Sequence, residues 1–327
     1  MVSLNKKKDF KKTAKYVIDL EILALKKLKS SINNSFNEAV KVIVKCQSKI
    51  IFCGVGKSSK ISAKLSSTFS SVGSPSFTLS ASDASHGDLG SISKKDILIL
   101  ISNSGETGEL KNIIQFAKRN KITLIGMVSR KNSTLYKSSD IKLYIPEAKE
   151  AGHGIVPTSS TSAALALGDA LAIASMEYKK FGKLDFKKFH PGGNLGNKLK
   201  TVEDLMLVKN KIPFIYENQK IKNSLKTLNQ KKLGVLIVRN KKNQTTGIFT
   251  DGDMKRTIQK NIDINKNEIK SFMTRKPISV NKDTLAATAL NLMNEKRITC
   301  LCIHKKENPK KTIGILHIHN ILSSNIN

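Results

Sequence analysis

Residues 101–110, ISNSGETGEL, combine hydroxyl and carboxylate side chains between an apolar run and a helix-like run. Ser102, Ser104 and Thr107 can donate hydrogen bonds to phosphate oxygens, and the free amides of a following helix can add more. Glu109 could then act as a base beside the bound phosphate compound. The same residues could also cap a helix, because Ser, Asn and Thr favour that position and Glu suits the first turn. The segment alone leaves both interpretations open.

Two other segments with the same character follow predicted strands. GVGKSS (54–59) is glycine-rich and carries Lys57, although it lacks the spacing of a nucleotide P-loop. PTSSTSA (157–163) places hydroxyl residues at the start of an apolar helix. Ligands of open parallel sheets bind beyond the carboxyl ends of the strands. Three such loops on one sheet favour a phosphate-bearing ligand over three unrelated caps.

The strands that would position these loops are short, continuous and rich in Ile, Leu and Val. We predict strands at 49–56, 74–79, 96–102, 123–129 and 141–146. Helices are predicted at 11–33, at 57–71, in a segment that starts at 35, and in a segment that follows the third strand and ends at about 120. Strands of this kind are typical of a parallel sheet buried on both faces. The predicted fold class is therefore α/β, a doubly wound parallel sheet flanked by helices. Ser35 and Glu38 predict a capping box for the second helix, and the apolar helix at 159–180 is expected to be buried, in part against a second subunit.

The second part of the chain contains an internal repeat after the glycine-rich segment HPGGNLGNKL. Residues Leu225, Leu228, Asn229, Lys231, Leu233, Leu236 and Val238 match Leu290, Met293, Asn294, Lys296, Ile298, Leu301 and Ile303 at a spacing of 65. The stretch GIFTDGDM corresponds to GILHIHNI at a spacing of 67. A repeat of this length predicts two copies of one α+β unit. We expect a first domain over residues 1–200 and repeats over 201–262 and 263–327.

The formal net charge of +32 does not identify a partner. Only six of the 57 basic residues are Arg, and Lys is spread along the whole length, whereas nucleic-acid readers tend to concentrate Arg on one face. We therefore expect no specific nucleic-acid partner. No apolar run is long enough to span a bilayer and no signal peptide is evident, so we expect no membrane association and a cytoplasmic location.

The motifs GVGKS, ASHGDLG, ISNSGET, KEAG, PTSST and HPGGNLG occur in this order. Together they resemble the sugar isomerase (SIS) domain of arabinose-5-phosphate isomerases, and GIFTDGDMKR resembles the CBS pair that those enzymes carry. The resemblance covers residues 11–325. It implies isomerisation between D-ribulose 5-phosphate and D-arabinose 5-phosphate, which supplies Kdo for lipopolysaccharide. It also implies a tetramer that uses no organic cofactor.

The resemblance also implies a catalytic set of Lys57, Glu109, Glu150 and His190. Moving a proton between two carbons through an enediol requires a base and a group that stabilises the developing oxyanion. Either glutamate could be the base, and Lys57 could stabilise the enediolate or the phosphate. His190 could move protons between hydroxyls or open the sugar ring.

The substrate contacts expected from the same resemblance come from several loops. They are Gly56, Ser58, Gly73, Ser74, His86, Ser102, Ser104, Thr107, Ser159 and Ser160. Relatives often place a histidine implicated in zinc binding where this chain has Ser80, so we expect no metal site there.

Three alternatives remain open at the sequence level. The substrate could be another phosphosugar, or the chain could be a non-catalytic phosphosugar sensor. Sensors with this fold carry a helix-turn-helix module first, whereas the residues before the first strand here read as two helices of the domain itself. The CBS pair could bind an adenine nucleotide or another effector, with Asp251 and Asp253 as candidate contacts.

Overall fold

The computed structural model of the chain describes residues 9–190 and 192–324. Two compact units divide it, Met1–Phe189 and His190–Asn327. The elements of the first unit are α1 (Phe10–Ser31), α2 (Asn34–Lys45), β1 (Ile50–Gly54), α3 (Lys57–Ser71), β2 (Ser76–Ser80), α4 (Ala81–Ala84), β3 (Ile97–Ser102), α5 (Leu110–Arg119), β4 (Thr123–Val128), α6 (Thr134–Ser138), β5 (Ile141–Tyr144), α7 (Ser159–Tyr178) and α8 (Lys183–Phe189).

Five strands of the described first unit form one parallel sheet in the order β2-β1-β3-β4-β5. The strand order reverses at β1, whose neighbours are β2 on one side and β3 on the other. The predicted doubly wound α/β class is confirmed. Ligands of such sheets bind at this switch point, beyond the carboxyl ends of the strands.

Both faces of the sheet are buried, which explains why its strands lack polar alternation. Ile97, Ile99 and Ile101 pack with α2, α3 and α7 in one core. Leu98 and Leu100 face the other way and pack with α4, α5 and α6 in a second core. Helices α3 and α5 therefore flank the switch point from opposite faces.

The start of α2 differs from the sequence prediction. The helix begins at Asn34, and the side chain of Asn33 accepts the Ser35 amide at 2.9 Å. The predicted capping box of Ser35 and Glu38 is wrong, because Asn33 is an equally good cap and precedes it.

The second unit contains two similar sheets. Its elements are α9 (Gly193–Lys198), α10 (Val202–Leu205), β6 (Leu207–Val208), β7 (Phe214–Tyr216), α11 (Ile221–Lys231), β8 (Val235–Arg239), β9 (Thr245–Thr250), α12 (Asp251–Gln259), β10 (Thr274–Arg275), β11 (Ser279–Asn281), α13 (Ala286–Lys296), β12 (Cys300–Lys305), β13 (Asn308–His317) and α14 (Ile318–Leu322). The strand orders are β10-β9-β8-β7 and β11-β12-β13-β6.

Each sheet of the second unit takes one strand from the other repeat. Strand β6 belongs to the first repeat but pairs with β13 of the second, and β10 belongs to the second repeat but pairs with β9 of the first. Met206 and Met273 lie against Gly314 and Gly247, so the exchange is symmetric. The repeats also meet where Thr245 and Thr312 share a hydrogen bond of 2.7 Å.

Helix α7 has 20 residues and is the most apolar of the long helices. No helix in the described part of the chain combines the length and apolar character that a membrane crossing requires.

Candidate active site

The turn from β1 into α3 brings Lys57 to the switch point. Gly56 has a φ of 61°, a left-handed conformation that favours glycine, and no side chain caps the helix that follows. Lys57 is the first residue of α3 and is exposed. Ser58 is half-buried, and its amide donates to the Val55 carbonyl. The turn therefore presents a cation and a helix amino terminus together.

The loop after β3 is held by its own hydroxyl groups. Ser102 is buried, and its hydroxyl shares a 2.8 Å hydrogen bond with Thr107 and accepts the Gly105 amide at 3.0 Å. Ser104 is half-buried and accepts the Glu106 amide at 3.2 Å. The hydroxyl hydrogen of Ser104 can still be donated to a ligand. Of the three predicted hydroxyls, Ser104 is thus the one best placed for a phosphate, and Ser102 and Thr107 shape the loop.

The two glutamates of this loop have different surroundings. Glu106 accepts hydrogen bonds from the amide and the hydroxyl of Thr134, at 2.6 and 2.8 Å. These hydrogen bonds hold the pKa of Glu106 below its ordinary value, and the bond from the Thr134 amide has the largest effect. Glu109 precedes α5, is exposed, and makes no capping hydrogen bond with its side chain. Its carboxylate is therefore in solvent near the positive end of the α5 dipole, where a ligand could reach it.

Glu150 lies at the amino terminus of α7. It accepts from the amide of Thr158 at 2.8 Å, from the Thr158 hydroxyl at 3.1 Å, and from the amide of Ser160 at 3.3 Å. Partial burial alone would raise the pKa of Glu150, but hydrogen bonds from Ser160 and Thr158 outweigh it and hold this pKa below its ordinary value. Glu150 is therefore an oriented, ionised carboxylate at neutral pH.

The amino termini of helices α3 and α7 lie at similar distances from the point where the two helices touch. A side chain at Gly168 of α7 would collide with Leu65 of α3, so these two positions touch. Leu65 lies eight residues after Lys57, and Gly168 lies nine after Ser159, which corresponds to about 12 and 13.5 Å of helix. Helix α3 starts where β1 ends, at the carboxyl edge of the sheet. Lys179, at the end of α7, donates a hydrogen bond to a serine that precedes β2 at the amino edge. Both helices therefore run from the carboxyl edge to the amino edge.

His86 follows β2 and also belongs to the carboxyl edge. It is exposed and comes two residues after α4, while its neighbour Ser85 accepts a hydrogen bond from Asn112 of α5 at 3.1 Å. The segment that carries His86 is thus attached to the helix that begins after Glu109.

The structure brings most of the predicted residues to this edge of the sheet. They are Gly56, Lys57, Ser58, His86, Ser102, Ser104, Thr107, Glu109, Glu150, Ser159 and Ser160. Ser159 is fully buried and donates to the Lys149 carbonyl at 2.8 Å, so its hydroxyl fixes the segment that carries Glu150.

Two predicted residues lie at the opposite edge of the sheet, and a third belongs to the second unit. Gly73 and Ser74 precede β2 and lie at the amino edge, where Ser74 is buried and accepts from Lys179 at 2.8 Å. Their predicted contact with the substrate stays a prediction. His190 begins the second unit, and its catalytic role is likewise untested.

One residue of the site was missed from the sequence. Thr158 makes two hydrogen bonds with Glu150 and one with the Ala151 amide at 3.0 Å. It stands inside the hydroxyl-rich segment 157–163, but its pairing with a glutamate eight residues earlier needs the fold of the intervening loop.

Comparison with known proteins identifies both parts of the chain. The SIS domain model matches residues 43–174, and the CBS domain model matches residues 202–260 and 269–326. Arabinose 5-phosphate isomerase KdsD of Yersinia pestis is 39% identical over 320 residues, 97% of each chain. The Escherichia coli K12 protein of the same name is 36% identical over 97% of each chain.

This chain belongs to the arabinose 5-phosphate isomerase family. The resemblance noted in the sequence is confirmed. A solved structure of an Escherichia coli CFT073 protein in complex with arabinose 5-phosphate aligns with a TM-score of 0.55 and 39% identity, covering 57% of this chain and 100% of that chain.

The residues around Ser80 do not fit a metal site. The hydroxyl of Ser80 shares a 2.9 Å hydrogen bond with Ser82 and accepts the Asp83 amide at 3.4 Å, so it caps α4. The described residues contain no group of three His, Cys, Asp or Glu side chains that could hold a metal ion. A serine hydroxyl is also a poor ligand for zinc.

Proposed function

We propose that this chain interconverts D-ribulose 5-phosphate and D-arabinose 5-phosphate through an enediol. The observation that carries the proposal is the placement of Lys57, Glu109 and Glu150 at one edge of the sheet, beside the switch point. The chain aligns over 97% of its length with arabinose 5-phosphate isomerases. The groups at this edge are those that a proton transfer next to a phosphorylated sugar requires.

In the proposed mechanism, Glu109 is the base. It removes the proton from C1 of the ketose, the electron pair forms the C1–C2 double bond, and the C2 carbonyl becomes the enediolate oxygen. The proton returns to C2, while the proton of O1 passes to O2 as the aldehyde forms. Lys57 stabilises the enediolate by its charge, and Ser104 donates to the phosphate.

Glu150 suits a different role from that of Glu109. A carboxylate whose pKa is lowered by helix amides is a weak base. It can accept a hydrogen bond from a sugar hydroxyl without taking its proton, and so fix the position of the sugar. His190 is proposed to move the proton between O1 and O2.

The test of the function is a direct assay. The purified chain, supplied with ribulose 5-phosphate and no cofactor, should form arabinose 5-phosphate at an unchanged rate in EDTA. Loss of activity in EDTA with recovery on added zinc would contradict the metal-free mechanism. Turnover of another phosphosugar alone would assign a different substrate, and binding without turnover would assign a sensor.

We also propose that the chain is a homotetramer of the cytoplasm whose product supports Kdo synthesis. On helix α1, Ile18 is 56% exposed and Ile22 is 42% exposed, and on α7 Ile173 is 44% exposed. Exposed apolar side chains on two helices that pack together favour a contact between subunits. Light scattering after gel filtration should give four chains for the native protein and fewer for Ile18→Lys/Ile22→Lys.

A second candidate function is supported by a cavity between the two repeats. Its volume is about 650 Å³, and Lys232, Arg297, Lys276 and Asp251 are among the residues that line it. Lys232 and Arg297 end their helices at equivalent positions with φ of 52° and 50°. Three cations can hold a phosphate, and a carboxylate can accept from a ribose diol.

We propose that this cavity binds an adenine nucleotide as an effector. Calorimetry with AMP, ADP and ATP should detect binding, and Asp251→Ala should weaken it. Asp263→Asn, which changes an exposed carboxylate outside the cavity, is the matched control. Absence of binding for all three nucleotides would reject this role.

A further inference from the structure

A different group of side chains lies at the ends of β7 and β8. Phe214 and Tyr216 are two residues apart on β7 and therefore share one face of the sheet, and Tyr216 is opposite Arg239 in the strand register. The guanidinium carbon of Arg239 lies 4.6 Å from the ring centre of Phe214 and 4.6 Å from that of Tyr216. We call these three side chains the arginine clamp.

The arginine clamp fixes the guanidinium but does not use its hydrogen-bond donors. The Nε atom of Arg239 is buried and has no hydrogen-bond partner among the described residues. Because the aromatic rings lie against the guanidinium and its Nε is buried, the two terminal Nη groups are the part left for a ligand. These two groups can form two parallel hydrogen bonds with an oxyanion.

The pocket beside the clamp is positively charged. It has a volume of about 360 Å³, and its lining includes Lys241, Lys242 and Glu217. Asn240 fixes the turn between β8 and β9, since its side chain accepts the Lys242 amide at 3.0 Å. With Arg239, the lining has three cations and one carboxylate, which leaves an excess of two positive charges. A phosphate monoester carries nearly two negative charges at neutral pH, whereas a carboxylate carries one.

The second repeat shows that the fold does not require the clamp. In the same register, Asn281 lies opposite His304, and Ser279 occupies the position equivalent to Phe214. The sheet therefore forms with small and polar side chains at these positions. The clamp also uses one of only six arginines in a chain whose other 51 basic residues are Lys.

We propose that the arginine clamp binds the phosphate group of a small molecule. The clamp lies at the carboxyl end of β8, whereas the cavity between the repeats is lined by Gly234 and Val235 at the opposite end of that strand. It is thus a separate site, and it does not depend on the isomerase activity.

The experiment uses the full chain with arginine labelled with ¹⁵N. Because the chain has six arginines, at most six Nε signals are expected, and the one that disappears in Arg239→Lys is Arg239. Inorganic phosphate added at constant ionic strength should shift this signal in a saturable way. Acetate in a parallel titration should not shift the signal in this way. Acetate carries only one negative charge and leaves part of the excess positive charge of the pocket unneutralised.

Calorimetry with inorganic phosphate tests the role of the clamp. Arg239→Lys should weaken binding about 10- to 100-fold, because the paired hydrogen bonds are lost. Tyr216→Leu should also weaken phosphate binding, although it keeps the charge of Arg239. Arg275→Lys, which changes an exposed arginine of the same unit, should leave phosphate binding unchanged. Circular dichroism would show that each variant is folded. The proposal fails if the Arg239 signal does not move, if acetate moves it equally, or if both clamp variants bind phosphate as the native chain does.

Discussion

Glu109 carries an exposed carboxylate at the start of α5, and its side chain makes no bond to the helix that follows it. Glu106, three residues earlier, accepts two hydrogen bonds from Thr134. The same side-chain type therefore has two different environments within one loop. Sequence alone assigns neither, because both glutamates suit the first turn of a helix equally well.

The first prediction tests whether these two glutamates also differ in their roles. Glu109→Gln keeps the shape of the side chain but cannot accept a proton, so kcat should fall by about 10²-fold or more. The melting temperature should hardly change. Steady-state kinetics and thermal unfolding measure both quantities.

Glu106→Gln is the matched control for this prediction. It should lower the melting temperature, because a neutral acceptor replaces a charged one at Thr134, and it should leave kcat near normal. If Glu109→Gln keeps near-normal kcat, Glu109 is not the base.

The second prediction concerns the hydroxyls of the same loop. Ser104→Ala should raise KM while kcat changes little, because a hydrogen bond to a charged group contributes about 1.5–3 kcal/mol. Ser102→Ala should instead destabilise the fold by about 1–3 kcal/mol, because the buried Gly105 amide loses its acceptor. Equal effects of both variants on KM would show that the loop binds the substrate through other groups.

At the scale of elements, Glu150 and α7 form one unit. The carboxylate accepts hydrogen bonds from the first amides of the helix, which would otherwise have no partner within it. The stabilisation depends on the charge of Glu150, because a protonated carboxyl group is a weaker acceptor and interacts less favourably with the helix dipole.

The third prediction follows from the lowered pKa of Glu150. In the unfolded chain a glutamate titrates near pH 4.3, so the contribution is fully present above that pH and is lost as the pH falls through the lower folded-state pKa. The melting temperature of the native chain should therefore exceed that of Glu150→Gln at pH 7, and the difference should shrink below about pH 4. A difference that is constant between pH 7 and pH 3 would contradict the linkage.

The elements themselves were predictable where local physics decides them. The apolar runs of β1, β3 and β4 allow no polar face, so they indicated a parallel sheet. The exchange of β6 and β10 between the repeats was not predictable, because two-residue strands leave almost no pattern. Gly73 and Ser74 were expected near the substrate from the family resemblance, and the sequence does not say at which edge of the sheet they lie.

At the scale of the whole molecule, the proposed role of His190 can be tested by truncating the chain. It is the first residue of the second unit, whereas Lys57, Glu109 and Glu150 belong to the first. A protein whose whole length aligns with 57% of this chain has been solved in complex with arabinose 5-phosphate. The first unit is therefore expected to fold without the two repeats.

The fourth prediction uses two truncated chains, one ending at Phe189 and one ending at Thr201. Both should fold with similar circular dichroism, because the first unit has its own two cores. The longer chain keeps His190 and should retain isomerase activity. The shorter chain should lose about 10²-fold or more in kcat, as expected for the loss of general acid–base assistance, and His190→Ala in the full chain should reproduce that loss. If the shorter chain is fully active, His190 takes no part in the reaction. If neither truncated chain folds, the first unit depends on the repeats, and the boundary near residue 200 must be abandoned.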